Sequence, residues 1–184
     1  MTDFFRMHSG GVVRNGCGTL LVGPSGAGKS TLVVRLVSDG FSLLSDDEVW
    51  IDPDSLLLHP SPRYLLLKES AWDLFPSLRD KFSATEDKER RSWWLHSADI
   101  RPGCRAAPTP LWGVICLKPP LGNQPVLEEI GQAEALASVI SQSMNFPGDV
   151  RVSTVVKIVK AARLFRLNIG ALNDCAAMLS EVLP

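Results

Sequence analysis

Thr19-Leu20-Leu21-Val22-Gly23-Pro24-Ser25-Gly26-Ala27-Gly28-Lys29-Ser30 is the stretch on which the reading of this chain turns. An apolar run ends at a glycine turn, and residues 23–30 satisfy GxxxxGK[ST] at every fixed position. Ser30 to Val37 then carries apolar residues at helical spacing and stops at Gly40. Glycines let the loop curl so that successive N–H groups face inward. With the helix N-terminus they make a cavity for anionic phosphate. Gly23, Pro24, Ser25, Gly26, Ala27, Gly28, Lys29 and Ser30 are thus the expected nucleotide ligands. Lys29 is placed to reach the β- and γ-phosphates, and the Ser30 hydroxyl to hold Mg²⁺, so ATP and Mg²⁺ are the expected cofactors. Thr31 is either a further phosphate contact or a first-turn helix residue.

Downstream, Phe41 to Leu44 is a second short apolar run, and it leads into Asp46 and Asp47. Strand, loop, helix, strand is the start of an α/β domain. In an open α/β sheet the strand C-termini face the crevice that holds the phosphate loop. Two carboxylates there divide the work: one holds Mg²⁺, directly or through water, and the other takes a proton from an attacking hydroxyl. Adjacent residues on extended chain point to opposite sides, so a shared site needs a turn at this point. Upstream, Gly10 to Gly18 suggests a short strand and a turn.

The rest of the chain is less legible. Leu56–Leu58 and Tyr64–Leu67 read as short strands around the turn residues Pro60, Ser61 and Pro62. Asp80 to Arg91 is charge-rich, a solvated helix or loop, followed by Trp93 and Trp94. Those two rings and His96 line either a substrate lid, an oligomer contact or the core. Arg101 to Pro110 is a proline-rich loop, and Trp112 to Leu117 a buried strand. Gln132 to Met144 predicts a helix, Val150 to Val159 a strand or a helix, Leu164 to Leu167 a strand, and Leu172 to Leu183 a final amphipathic helix. Arg63, Lys68, Arg101 and Arg105 are candidate clamps for the transferred phosphate or an anionic substrate, because phosphoryl transfer needs positive charge beside the equatorial oxygens.

Composition narrows the function classes. The 184 residues hold 45% hydrophobic and 21% charged residues, an ordinary globular balance for one domain spanning 1–184. The net charge of −1 excludes a broad basic surface for bulk nucleic acid. Apolar runs are far shorter than a membrane span. Cys17, Cys104, Cys116 and Cys175 form no CxxC and the three histidines no ligand-spaced cluster, which disfavours structural zinc and suits a cytoplasmic protein.

Residues 7–50, MHSGGVVRNGCGTLLVGPSGAGKSTLVVRLVSDGFSLLSDDEVW, resemble the catalytic domain of HPr kinase/phosphorylase and its shorter kinase relatives, which in turn resemble ATP-dependent phosphoenolpyruvate carboxykinase. The shared features are a Met-His near the start, an apolar strand, the phosphate loop with its helix, a glycine and then an Asp-Asp pair. Firm resemblance covers about a quarter of the chain, although PLWGVICLKP and AARLFRLNIG look like two later core strands of the shorter relatives. It implies a P-loop-containing HPr kinase/phosphoenolpyruvate carboxykinase-like α/β domain with a mixed β-sheet and flanking helices. His8, fifteen residues before Gly23, matches the family's active-site histidine; read alone it is an N-terminal histidine without a partner. Asp46 matches the candidate general base and Asp47 the carboxylate near the metal beside Ser30. The sequence by itself does not separate those two roles.

The departures bear on substrate. The larger bifunctional enzymes carry Glu-Ile-Arg-Gly after the Asp pair, with the glutamate near Mg²⁺. Here the corresponding stretch is Leu66-Leu67-Lys68-Glu69, with Lys68 in place of the arginine and Leu66 at the glutamate position unless Glu69 reaches in from a shifted register. Motifs for protein-substrate docking and dephosphorylation find no match, so orthophosphate-driven reversal is not expected. The shorter relatives include kinases of serine hydroxyls in other substrates. The resemblance therefore implies transfer of the γ-phosphate of ATP to a serine-like hydroxyl on a peptide or small molecule; whether the protein forms a homo-oligomer is open at this point. Two other readings stand beside it. GPSGAGKSTL resembles guanylate kinases, so a nucleoside monophosphate kinase is one, although their Ser-x-Thr-Thr-Arg is absent; a non-catalytic ATP-binding scaffold or ATPase module is the other.

Overall fold

The computed structural model describes residues 4–61, 64–81, 83–84, 92–144 and 148–184. The chain opens with β1 (Phe5–His8), β2 (Gly10–Arg14) and β3 (Cys17–Val22). β2 and β3 form a hairpin closed by Asn15-Gly16, with Arg14 opposite Cys17. Both turn residues have positive φ, 48° and 75°. That left-handed pair is what a two-residue turn matching strand twist requires, and Asn-Gly tolerates it best.

The glycine-rich loop of residues 23–28 leads from β3 into α1 (Lys29–Ser38), which ends before Gly40 (φ 108°). Then come β4 (Ser42–Ser45), β5 (Glu48–Ile51), β6 (Leu57–His59), β7 (Leu65–Lys68), two 3₁₀ turns at Glu69–Leu74 and Pro76–Lys81, β8 (Ser83–Ala84) and β9 (Ser92–Leu95). α2 (Ser97–Ile100), β10 (Thr109–Lys118), β11 (Val126–Glu129), α3 (Gln132–Ser141), β12 (Ser143–Met144), α4 (Gly148–Ala161), β13 (Arg163–Asn168) and α5 (Leu172–Val182) complete it.

Several expectations are refined. Val150–Val159, left open between strand and helix, lies within α4. The helix expected to run to Met144 stops at Ser141, because Ser143 and Met144 pair with β1 instead. β1, β5 and β11 were not expected at all. Of the charge-rich stretch, residues 82 and 85–91 lie outside those described, as do Pro62 and Arg63.

Among the described residues the main sheet is mixed. β3, β10 and β13 run parallel, whereas β2 is antiparallel to both β3 and β4. β4 therefore runs the same way as β3, and the C-terminal ends of both reach the same edge of the sheet. β10 is shared with a second run of strands, β12-β1-β5-β6, through its first two residues. Helices cover both faces. Leu21, Ile115 and Leu117 pack with Leu32, Leu36 and Leu179 of α1 and α5 on one side. Leu20, Val114 and Cys116 pack with Val139, Val155 and Ile158 of α3 and α4 on the other. Strands buried on both faces read as continuous apolar runs, which is why LLV and VICL were visible in the sequence. Among the described residues no helix is long and apolar enough to cross a membrane. A separate three-stranded sheet, β7-β9-β8, stands beside α1.

One ion pair sets where β1 lies. Arg6 donates from Nε and Nη2 to the buried Glu48 carboxylate (2.6 and 2.7 Å), which the Trp50 indole N–H also reaches. The β1–β5 register puts His8 opposite Glu48. Arg6→Met leaves Glu48 ionised and short of its main partner. Partial exposure of Arg6 holds the expected cost to about 2 kcal/mol, a fall in Tm of roughly 4–8 °C. A melting temperature within 1 °C of the parent would show that the pair does not hold β1 in place.

Candidate active site

The loop geometry follows from its glycines. Gly26 and Gly28 have φ of 82° and 86°, the left-handed region that other residues avoid. Gly23 is close-packed, since a Cβ there would lie 3.1 Å from the Leu117 carbonyl oxygen. The Ala27 N–H donates to the Pro24 carbonyl, closing the loop, and the Leu32 N–H donates to the Gly28 carbonyl, opening α1. Lys29 is buried, and its ammonium donates to the Gly23 and Pro24 carbonyls (2.7 and 3.2 Å). Burial pulls its pKa below the ordinary lysine range, and the Asp47 carboxylate acts against that pull.

The turn that the Asp pair requires is present. The Ser45 hydroxyl at the end of β4 accepts the N–H groups of Asp47 (3.2 Å) and Glu48 (3.0 Å). This side-chain turn reverses the chain into β5 and sends the two carboxylates into different surroundings. Asp46 is 3% exposed. Its Oδ2 accepts the Leu66 N–H at 2.9 Å, and the Ser30 hydroxyl hydrogen-bonds the same carboxylate. Burial pushes its pKa up to about 6; the Leu66 N–H opposes the rise, the Asp47 charge adds to it and the Ser30 hydroxyl opposes it again. The Asp47 side chain is half-exposed, with Oδ1 3.0 Å from His8 Nδ1.

These groups line one cleft of about 690 Å³. Ser25, Gly26, Gly28, Lys29, Ser30 and Thr31 form one wall and His8, Asp46 and Asp47 adjoin it. The opposite wall is the three-stranded sheet. Leu65 and Leu67 of β7 point into the core, so Leu66 and Lys68 face outward. Their partners Trp94 and Ser92 on β9 face the cleft too, as does Tyr64, whose ring meets Trp94 edge-on at 6.2 Å.

Of the four candidate clamps, Lys68 lies in the cleft. Arg101 does not: its guanidinium donates to the Gly40 (3.1 Å) and Phe41 (2.7 Å) carbonyls and so holds the turn after α1. Arg105 is exposed beside Leu43, away from the cleft lining. Arg63 lies outside the described residues. Glu69 is exposed on the 3₁₀ turn after β7 and is not in the cleft lining, so Leu66 occupies the wall and meets Asp46 through its backbone. Among the described residues no group of three or more His, Cys, Asp or Glu converges as a metal site. Sequence reasoning missed Tyr64 and Ser70 in the cleft; an isolated tyrosine and a serine carry no motif.

No protein-family model matches this chain, and no curated protein matches it. Among solved structures it is similar to the Hpr(Ser) kinase/phosphatase from Coxiella burnetii, with 13% identity, a TM-score of 0.42 and coverage of 96% of each chain. A match of that identity and overlap says nothing of the chemistry in the cleft.

Proposed function

We propose that the chain is an ATP- and Mg²⁺-dependent kinase that passes the γ-phosphate to a hydroxyl on a peptide or small molecule. The observation that carries this is the meeting of two differently housed carboxylates at one phosphate loop: Asp46 against Ser30, and Asp47 against His8. A loop for the triphosphate alone would suit any nucleotide-binding protein. A second, half-exposed carboxylate held by a histidine beside it is what a proton-accepting group for an incoming hydroxyl requires.

The residues fit the two ligands. The left-handed glycines and the α1 N-terminus suit a triphosphate. The Ser30 hydroxyl and the Asp46 carboxylate are adjacent oxygen donors, which suits Mg²⁺, an ion that otherwise keeps phosphate oxygens and water. Mg²⁺ bound there would neutralise charge on the transferring group. This geometry favours the reverse of the split expected from the sequence resemblance: Asp46 serves the metal side with Ser30, and Asp47 accepts the proton of the acceptor hydroxyl. His8 orients the Asp47 carboxylate and is a positioning residue. Lys29 and Lys68 supply positive charge on the two walls. Most of the acceleration then comes from placement and fixed charge.

The test is transfer from γ-labelled ATP to free serine, serine-ended peptides and a cell extract, with Mg²⁺ present and absent. Label on a peptide or small molecule, dependent on Mg²⁺, is the expected result. Nucleotide binding with no label transferred to any of them would favour the scaffold, and label on a nucleoside monophosphate would favour the other kinase class. Lys29→Ala, by removing the ammonium from the loop, should lower transfer at least about a hundredfold and weaken ATP binding. A folded Lys29→Ala protein with near-normal transfer would sink the loop mechanism.

A further inference from the structure

A second cavity of about 410 Å³ is lined in part by Ala27 and Gly28 of the phosphate loop. It shares Gly28, Thr31, Ser70 and Ala71 with the first cleft, so the two adjoin along those residues. Its polarity is graded. The two hydroxyls, Thr31 and Ser70, sit at the shared end. Leu32, Leu74, Ile169, Leu172 and Cys175 line the rest, with Gly170, Ala171 and Ala27 of the loop itself.

The wall formed by Ile169–Leu172 is firmly seated. A Cβ on Gly170 would lie 2.5 Å from the Pro125 nitrogen and 2.7 Å from the Gln124 carbonyl carbon, both backbone atoms that cannot swing aside. Three of its donors are also committed. The Ile169 N–H goes to the Lys118 carbonyl, the Gly170 N–H to the Cys175 sulfur and the Ala171 N–H to the Asn123 carbonyl. This wall therefore has no N–H left to read the edge of a base at those three positions.

Resting on the phosphate-loop reading above, we infer that this cavity is the nucleoside subsite, with the ribose at Thr31 and Ser70 and a purine held by apolar contact at Leu74, Ile169 and Leu172. Apolar walls recognise a ring by area and shape. Discrimination between bases comes from polar groups matched to their edges, and the N–H groups of Ile169, Gly170 and Ala171 are all committed elsewhere. The subsite thus adds affinity for a purine nucleotide and separates adenine from guanine poorly.

Calorimetric titration of the full chain with ATP, GTP and inorganic tripolyphosphate, each with Mg²⁺, tests this. The expected result is ATP at least about tenfold tighter than tripolyphosphate, and GTP within about threefold of ATP. Leu74 is half-exposed, so Leu74→Ser should fold. It should weaken ATP and GTP about three- to tenfold while leaving tripolyphosphate within about twofold. Leu172→Ala is the second variant, with the same pattern expected. Equal affinity of the parent for ATP and tripolyphosphate would overturn the subsite and leave the phosphate loop standing. ATP favoured over GTP by more than about tenfold, or variants that weaken tripolyphosphate as much as ATP, would overturn it as well. A parent that binds none of the three would overturn the phosphate-loop reading together with it.

Discussion

Asp46→Asn is expected to make the nucleotide-free protein more stable and at the same time to remove phosphoryl transfer. Asp46 is buried with a folded pKa of about 6, against 3.8 for the free side chain. Between those values the folded state holds more protons than the unfolded chain, so stability falls as pH rises through that window. Above pH 6 the whole cost of an ionised buried carboxylate is present, up to about 3 kcal/mol. An amide of the same shape can still accept the Leu66 N–H but carries no charge. The variant should melt roughly 5–10 °C above the parent at pH 7.5 and close to it at pH 4. Transfer should fall about a thousandfold or more, and the Mg²⁺ concentration needed for what remains should rise. Melting curves at the two pH values decide the first half: a variant less stable than the parent at pH 7.5, or a gap that ignores pH, would refute it. The charge that destabilises the empty site is the one that a bound cation would relieve.

Asp47→Asn is expected to act differently. Its side chain is half-exposed and faces the cleft from beside His8, so stability should change by less than about 1 kcal/mol. Transfer should fall about a thousandfold, the scale of a positioned proton acceptor. ATP affinity and the Mg²⁺ requirement should stay near those of the parent. His8→Ala should cost about ten- to a hundredfold, and the double variant no more than Asp47→Asn alone, because His8 acts through Asp47. A Mg²⁺ titration of the two Asn variants separates the roles. If the metal requirement rises in Asp47→Asn and not in Asp46→Asn, the assignment made from the geometry is reversed.

The features readable in the chain were those whose cause lies within a few residues. Gly26 and Gly28 permit left-handed backbone wherever the chain goes, and Lys29-Ser30 follows them directly, so the tight loop between β3 and α1 was legible. The doubly buried strands announced themselves as unbroken apolar runs, and the Ser42–Ser45 strand led visibly to the Asp pair. Val150–Val159 stayed ambiguous because valine-rich apolar sequence suits both a strand and a buried helix; packing of Val155 and Ile158 against β3 and β10 residues decided it.

Tertiary structure decided everything that depends on register or on a distant backbone. His8 comes beside Asp47 only because β1 pairs with β5, a strand the sequence did not disclose, under the Arg6–Glu48 ion pair. Arg101 lies away from the cleft because the carbonyls after α1, about sixty residues away, take its guanidinium. The different surroundings of Asp46 and Asp47 rest on the Ser45 turn, which is local, and on the Leu66 N–H twenty residues further on, which is not. Two identical side chains side by side carry identical information in sequence. Their chemistry diverges because one is folded into a low-dielectric wall and the other is left at the edge of water.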